Sequence, residues 1–276
     1  MKKIILDTDL GCDSDDIGAL VILNQLYNQK KVLPLCITSV NSHLEPALFI
    51  DEINKHYGNQ ILIGMNKCNN YGIDNGYAVD VVNKFNISKD KDYPNSIDVM
   101  RKVLVEESDK IDLITIGPLT NIFYFIKNYG VELLNEKVDT MYLMAGNFVS
   151  GNAEWNITED IDALLLVLKE FKGKMVFVPF EVGYDVLTAR NLLNSDTMMG
   201  YGYYVHNQGP RASWDPITVY YAITSSSEFT VSEAGVVSCS EKGVTTFNKG
   251  NGNHYYILNN FDKVKVEKIL EELMVI

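Results

Sequence analysis

An acidic cluster follows the first apolar segment of the chain. The sequence passes from Ile4-Ile5-Leu6 into DTDLGCDSDD at residues 7–16, which carries five carboxylates within ten residues. Such a density of negative charge is unfavourable unless a cation offsets the repulsion, and Ca²⁺ and Mg²⁺ prefer carboxylate and carbonyl oxygens. The pattern therefore predicts a site for a hard cation. A solvated acidic turn in which Asp16 caps the following helix is the alternative interpretation.

Two other aspartate-rich motifs fail at their diagnostic positions. A phosphatase of the haloacid dehalogenase type would follow Asp-x-Asp with Gly-Thr or a hydroxyl residue, whereas Leu10-Gly11 follows Asp9 here. An EF-hand loop counted from Asp7 needs glycine at its sixth position and glutamate at its twelfth. This chain has Cys12 and Gly18 at those positions. Neither class of protein fits the cluster.

The elements that must position this cluster alternate along the chain. Buried strands are predicted for the apolar runs at residues 4–6, 33–40, 61–63, 111–116, 141–144 and 175–178. Helical spacing of apolar residues between these runs is typical of a parallel sheet covered on both faces. We predict a single α/β domain over residues 1–276, with a central mostly parallel sheet flanked by helices. A small peripheral β region is predicted near the C-terminus, and ligands should bind at the carboxyl ends of the strands.

The chain is acidic, because 24 Lys and Arg stand against 36 Asp and Glu, for a formal charge of −12. This charge excludes nucleic acid and an anionic membrane as expected partners, since phosphate binding needs clustered Lys and Arg. The four cysteines form no CxxC pair, and no apolar run reaches the ~18–20 residues that span a bilayer. The N-terminal apolar run is too short for a signal peptide, so we expect a cytoplasmic protein.

Motifs further along the chain resemble those of the nucleoside hydrolase family, the inosine–uridine-preferring type. Residues 7–16 are similar to its DTDPGxDD motif, with leucine for proline and two extra residues before the aspartate pair. Residues 116–121 (IGPLTN) resemble its GPLTN turn, and residues 144–156 resemble its MGG…GN…AEFN segment. Residues 213–216 (SWDP) resemble its HDP or WDP motif. The chain looks like a poorly defined bacterial branch of this family, with the resemblance covering residues 2–225.

The resemblance implies a calcium-dependent hydrolase that cleaves the N-glycosidic bond of ribonucleosides and releases ribose and a free base. It implies Ca²⁺ ligands from Asp9, Asp16, Asp215 and the backbone carbonyl of Ile116. Asp9 would also be the general base that takes a proton from the attacking water. A hydrolase of another ribosyl compound and a non-catalytic, calcium-dependent binder of a ribosyl ligand are the alternatives. The family also implies a homo-oligomer, either a dimer or a tetramer.

The resemblance further implies six ribose contacts. These are Asp15 and Asn156 for the 2′- and 3′-hydroxyls, Asn152 and Glu154 for the 5′-hydroxyl, Asn41 beside the sugar and Met144 beneath it. Strand-like alternation around Trp155 predicts that Glu154 and Asn156 share a face. For Asn41 and Asn152 the alternative is a polar loop residue, and for Met144 it is a core residue.

The leaving-group end departs from the inosine–uridine pattern. Trp214 stands where that subgroup has His before the last calcium aspartate. Trp214 would stack on the base, a contact worth roughly 1–3 kcal/mol, or else be a core residue. His206, in the polar stretch of residues 194–208 predicted to be a long loop or lid, is the candidate acid for the leaving base. Arg211 adds a positive charge at the rim of the pocket or forms a surface salt bridge.

Overall fold

A computed structural model describes residues 1–72 and 76–275. Within them the strands are β1 (Lys2–Thr8), β2 (Val32–Ser39), β3 (Leu62–Met65), β4 (Ile111–Thr115), β5 (Val138–Met144), β6 (Lys174–Val178), β7 (Leu187–Thr188), β8 (Arg211–Ala212), β9 (Gly235–Cys239), β10 (Thr245–Lys249) and β11 (His254–Tyr256). The helices are α1 (Asp15–Asn28), α2 (Leu44–His56), α3 (Tyr77–Lys84), α4 (Ser96–Glu106), α5 (Thr120–Tyr129), α6 (Glu132–Lys137), α7 (Trp155–Glu159), α8 (Ile161–Glu170), α9 (Phe180–Gly183), α10 (Arg190–Leu193), α11 (Met198–Asn207), α12 (Trp214–Thr224) and α13 (Lys263–Leu273). No helix of the described residues is both long enough and apolar enough to cross a membrane.

Among the described residues, nine strands form one sheet in the order β10-β9-β11-β6-β5-β4-β1-β2-β3. All pairings from β11 to β3 are parallel, whereas β9 runs antiparallel to both of its neighbours. β7 and β8 form a separate antiparallel pair. The strand order reverses at β1, which lies between β2 and β4. In open α/β sheets a ligand cleft forms at such a switch point, outside the carboxyl ends of the strands.

The central strands are buried on both faces of the sheet. All five residues of β4 and the last five of β1 are buried. Ile4 and Leu6 belong to one hydrophobic cluster and Ile5 to another. Because successive side chains of a strand point to opposite faces, these clusters lie on the two sides of the sheet. The predicted α/β fold with a mostly parallel central sheet is confirmed.

The predicted β region near the C-terminus extends one edge of the main sheet. β11 pairs in parallel with β6, and β9 and β10 continue outward from it. Residues 228–231, which the sequence suggests as a strand, contribute the isolated bridge between Val231 and Ile257. The sequence does not indicate β10, because its residues TTFNK include few apolar side chains.

The polar stretch at residues 194–208 is mostly helical, so the prediction of a long loop there was wrong. α11 begins after Thr197, whose side chain accepts a hydrogen bond from the Gly200 N–H. Met199 and Tyr203, four residues apart, are buried on the inner face of this helix. Two glycines and three tyrosines conceal the helical periodicity, since neither residue type favours a helix strongly.

Candidate functional site

A tight turn leads the chain from β1 to the acidic cluster at the carboxyl edge of the sheet. Leu10 is fully buried and anchors the turn, and Gly11 adopts a φ of +112°. A Cβ at Gly11 would lie 3.1 Å from Pro46 and 3.2 Å from Asn41. Both the backbone angle and the available space therefore favour glycine at this position.

Three carboxylates converge beyond this turn. Carboxylate oxygens of Asp15, Asp16 and Asp215 lie within 4.8 Å of one another, and all three side chains are buried. Asp15 and Asp16 begin α1, and Asp215 lies in the first turn of α12. Two helix N-termini, which carry partial positive charge, therefore support the group. The Asp215 backbone N–H donates a hydrogen bond to Asp15 Oδ2 at 3.1 Å.

The electrostatics of this group favour a bound cation. Burial raises the pKa of all three carboxyl groups, and repulsion between neighbouring aspartates raises it further. The Thr8 hydroxyl donates to Asp16 Oδ1, while Asp16 Oδ2 is buried with no hydrogen-bond partner among the described residues. A buried carboxylate oxygen without a partner is costly. The oxygen-only ligand set therefore fits a hard divalent cation such as Ca²⁺ or Mg²⁺.

This group differs in one carboxylate from the ligand set that the resemblance implied. Asp16 and Asp215 belong to both, whereas the structure groups them with Asp15 rather than with Asp9. Asp9 and Ile116 line the same cavity, and Ile116 directly follows β4 at the carboxyl edge of the sheet. Coordination by Asp9 and by the Ile116 carbonyl stays a prediction.

Asp9 is held in place by contacts with two other segments. Its Oδ2 accepts a hydrogen bond from the Tyr71 hydroxyl at 3.3 Å. A Cβ at Gly117 would lie 2.7 Å from Asp9 Oδ1, so the glycine of the GPLTN-like turn leaves the room that this carboxylate needs. Burial, with added repulsion from Asp13, raises the pKa of Asp9 to about 7. A carboxyl group with this pKa can accept a proton near neutral pH.

Glu154 and Asn156 share a face of the cavity, as predicted, although through the start of a helix. Glu154 is extended and caps α7 by accepting a hydrogen bond from the Asn156 N–H at 2.8 Å, so the strand-like prediction was wrong beyond it. The Asn156 amide donates to the carbonyls of Met144 at 3.0 Å and Ile116 at 3.4 Å. Glu154 Oε2 is buried without a partner in the described part of the chain, and burial raises the pKa of Glu154 to about 7.

These side chains line one cavity of about 350 Å³, a size typical of small-molecule sites. Of the twelve predicted site residues, ten line it, namely Asp9, Asp15, Asp16, Ile116, Met144, Glu154, Asn156, His206, Trp214 and Asp215. It is completed by Cys12, Asp13, Trp155 and Phe180, which were not predicted, and by Arg211, for which the rim of the pocket was one of two predicted places.

The other two predicted ribose residues, Asn41 and Asn152, do not line this cavity, and their contacts with ribose stay predictions. Asn152 is exposed on a loop. Asn41 is fully buried, and its Oδ1 accepts a hydrogen bond from the His43 N–H at 3.0 Å. A Cβ at Gly72 would overlap the Asn41 amide, so the chain at Gly72 covers this side chain.

A polar wall closes the cavity where α11 and β8 approach the acidic turn. Arg211 donates from Nε to Asp13 Oδ1 at 2.9 Å, and its Nη2 donates to Asp13 Oδ2. His206 Nδ1 lies 3.0 Å from the Ser14 hydroxyl, and burial lowers the pKa of His206. Asp13 and Ser14 correspond to the two residues by which this turn exceeds the DTDPGxDD motif. That extension was the signal in the sequence for this wall.

Trp214 is half-buried at the edge of the same wall. Its indole N–H donates to the Phe180 carbonyl at 2.7 Å, and the two rings stack with centroids 5.4 Å apart. The Arg211 guanidinium carbon lies 5.3 Å from the Trp214 ring centre. Gly183 leaves room for the indole, because a Cβ there would overlap it. Several protein groups thus hold the indole, and its stacking on a base stays a prediction.

Comparison with known proteins extends over nearly the whole chain. The model of the inosine-uridine preferring nucleoside hydrolase family matches residues 4–268. The chain is similar to the pyrimidine-specific ribonucleoside hydrolase RihA of Photobacterium profundum, with 33% identity over 79 residues, or 27% of this chain and 25% of that protein. The curated relatives that it matches are covered over a quarter to a third of their length.

Solved structures show the same fold. The inosine-uridine preferring nucleoside hydrolase from Bacillus anthracis has a TM-score of 0.78 and 16% identity, with 99% of both chains covered. The type III effector protein XopQ complexed with adenosine diphosphate ribose has a TM-score of 0.73 and 14% identity, with 99% of this chain and 92% of that chain covered. Identities this low establish the shared fold alone.

Proposed function

This chain belongs to the inosine-uridine preferring nucleoside hydrolase family, and we propose that it hydrolyses ribonucleosides to ribose and a free base. The observation that carries this proposal is the convergence of Asp15, Asp16 and Asp215 in a cavity that also holds Glu154 and Asn156. A cation site beside buried hydrogen-bonding groups suits a sugar with several hydroxyls. Two carboxylate-rich walls also suit the positive charge that develops on a ribosyl group as its glycosidic bond breaks.

Ca²⁺ is the cation in this proposal. The group of three offers oxygen ligands alone, and Asp9 and the Ile116 carbonyl lie in the same cavity as further oxygen donors. Ca²⁺ accepts six to eight oxygens in flexible geometry, whereas Mg²⁺ requires a near-octahedral arrangement. The chemistry that such a cation supplies when bound is to polarise a water molecule and lower that water's pKa.

The ribose is held by Asp15, Glu154 and Asn156 in this proposal. Glu154 Oε2, which is buried without a partner among the described residues, accepts a hydrogen bond from a ribose hydroxyl. The Asn156 amide nitrogen is already engaged with two backbone carbonyls, which leaves its Oδ1 to accept from another hydroxyl. Carboxylates fixed around the sugar then stabilise the oxocarbenium-like transition state without reorganising.

Asp9 is the general base in this proposal. Tyr71 holds one carboxylate oxygen and Gly117 allows close approach of the backbone to the other, so the carboxylate keeps one orientation. Asp9 accepts a proton from the water that adds to the anomeric carbon. The carbon–nitrogen bond breaks, its electron pair passes to the base, and the base takes up a proton.

Ribose release from inosine, uridine, adenosine and cytidine tests this function. We expect release that stops in a chelator and returns when Ca²⁺ is restored. Asp215→Asn should weaken the restoration, because it removes one carboxylate of the buried group. No ribose from any nucleoside in the presence of Ca²⁺ would contradict the activity. Full activity in chelator would contradict the cation dependence alone.

A hydrolase of another ribosyl compound is the second candidate. The Arg211–Asp13 pair favours it, because it places a guanidinium, a group that suits phosphate, at the wall of the cavity. A protein of the same fold has been solved with adenosine diphosphate ribose. Cleavage of that compound frees adenine and leaves its ribose esterified to phosphate, so release of the base, measured on it and on the nucleosides, separates the two candidates. A nucleoside hydrolase should prefer the nucleosides.

A further inference from the structure

Part of the cavity takes no role in the proposed cation and ribose contacts. It includes Asp13, His206, Arg211 and Trp214, all of which line the cavity. A base attached to a ribose in this cavity has to lie against residues outside the ribose group. In the proposed binding mode, this wall is the polar part of the cavity that the cation and the ribose leave free for the base.

Arg211 is the one lysine or arginine among the described residues that line the cavity. Its Nε and Nη2 donate to the two carboxylate oxygens of Asp13. This two-point contact fixes the plane of the guanidinium, and its position 5.3 Å from the Trp214 ring centre adds a second constraint. Nη1 makes no hydrogen bond within residues 1–72 and 76–275, so two N–H donors stay free.

We propose that Arg211, held by Asp13, is the electrophile that stabilises the leaving group, an inference that rests on the proposed ribonucleoside hydrolysis. As the carbon–nitrogen bond breaks, its electron pair passes to the base, and negative charge develops on the acceptor atoms of that base. The guanidinium donates hydrogen bonds to these atoms and keeps its own protons, because arginine is not deprotonated in proteins. The departing base takes its proton from water. Preorganised donors directed at developing charge are among the strongest catalytic contributions.

The other polar groups of this wall are less suited to the task. His206 Nδ1 is engaged with the Ser14 hydroxyl at 3.0 Å. Burial lowers the pKa of His206, so the imidazole is mainly neutral at pH 7 and has no imidazolium proton to give. The indole N–H of Trp214 is already donated to the Phe180 carbonyl. Arg211 alone in this wall combines a permanent charge with free donors.

Two substrates with different leaving groups test the proposal. Inosine needs assistance to release its base, whereas p-nitrophenyl β-D-ribofuranoside releases a stable phenolate unaided. For Arg211→Gln we expect kcat/KM on inosine to fall about 10²-fold, the usual result of losing one preorganised donor, and the nitrophenyl substrate to lose less than about threefold. Asp13→Asn keeps the guanidinium of Arg211 but weakens the two hydrogen bonds that orient it. Its kcat/KM on inosine should therefore fall by less than that of Arg211→Gln. Arg190→Gln, which breaks an ion pair with Glu267 outside the cavity, is the control.

The nitrophenyl substrate also reports whether the variant is folded and binds ribose. Equal losses on both substrates for Arg211→Gln would overturn the proposal, because a role in folding, cation binding or ribose positioning affects both reactions. Unchanged cleavage of inosine would overturn it as well. Failure of the wild-type protein to cleave either compound contradicts the proposed function, and this inference with it. If instead the wild-type protein cleaves both compounds and Arg211→Gln lowers both rates equally, the proposed function stands and this inference alone fails.

Discussion

The two ends of the cavity are built in different ways. At one end, called the cation and ribose end after its proposed role, Asp15, Asp16 and Asp215 are 2%, 0% and 4% exposed and are positioned by helix starts. At the other, called the leaving-group end after its proposed role, the side chains of Asp13 and Arg211 are 32% and 30% exposed and position each other. Buried charges are costly to leave uncompensated, whereas partly exposed ion pairs contribute little to stability. Substitutions in the buried group of the first end should therefore change stability and catalysis together, whereas breaking the ion pair of the second end should change catalysis with little effect on stability.

The largest loss of activity is expected for Asp9→Asn at the cation and ribose end. Turnover of every nucleoside should fall by roughly 10²–10⁴-fold, the usual worth of general acid–base catalysis. The measurement is kcat on inosine and uridine, with circular dichroism to verify the fold. Asp109→Asn, which removes an exposed carboxylate paired with Lys3, is the matched control and should be silent. Near-parental turnover by Asp9→Asn would refute its assignment as the base.

Calcium should stabilise the protein through one end of the cavity alone. At a Ca²⁺ concentration a hundredfold above the dissociation constant, the free energy of unfolding should rise by about 2.7 kcal/mol. Asp16→Asn should remove most of this increase, since it alters the buried group. Asp13→Asn should preserve it, because Asp13 pairs with Arg211 outside that group. Denaturant unfolding with and without Ca²⁺ measures this increase in the two variants. If both variants lose the increase equally, the two ends do not differ in their contribution to Ca²⁺ binding.

In chelator, stability should fall as pH rises. Burial raises the pKa of Asp7 and Glu154 to about 7, from 3.8 and 4.5. Between those values the folded protein binds more protons than the unfolded chain, so this contribution is fully present below the unfolded pKa and is lost as pH rises through 7. The urea midpoint should therefore decrease between about pH 5 and 7 and level off above that. Glu154→Gln should reduce the decrease, and an identical pH profile for this variant would argue against the assignment.

The smallest effect is expected for His206→Ala at the leaving-group end. The hydrogen bond between His206 and Ser14 joins two uncharged groups, and such a bond contributes about 1 kcal/mol to stability. Cleavage of inosine should change by a few-fold at most, and Ser14→Ala should behave alike. A larger loss on inosine than Arg211→Gln produces would make His206 the group that serves the leaving base.

The cation and ribose end was readable from the sequence because its residues lie in short, local patterns. Asp15 and Asp16 follow a buried strand at the carboxyl edge of a parallel sheet, and Glu154 and Asn156 are two positions apart in a recognisable segment. Residues spaced this closely can share a cavity even when the backbone differs from the prediction. Glu154 and Asn156 do so although α7 begins where a strand was expected. The contact that covers Asn41 could not be read in this way, because the segment at Gly72 is distant in sequence.

At the leaving-group end, His206 and Trp214 were predicted from the sequence, but the contacts that join its residues were not, because they are long-range. Asp13 and Arg211 are 198 positions apart, and their pairing follows from the register of β8 and the two-residue extension of the acidic turn. α11, which presents His206, was predicted to be a loop because Gly200, Gly202 and several tyrosines obscure its period. Which face of Trp214 is covered likewise depends on Phe180, on a different helix.

The contact between Asp15 and Asp215 has a consequence for the order of events in synthesis. These residues are 200 positions apart, so at 5–20 residues per second the ribosome needs about 10–40 s to supply the second after the first. Closing a loop of that length also costs roughly 5 kcal/mol of chain entropy. For that interval the acidic turn stays hydrated on a nascent chain. Binding of the proposed cation would therefore be a late step of folding, and it would mark a chain whose distant segments have been joined.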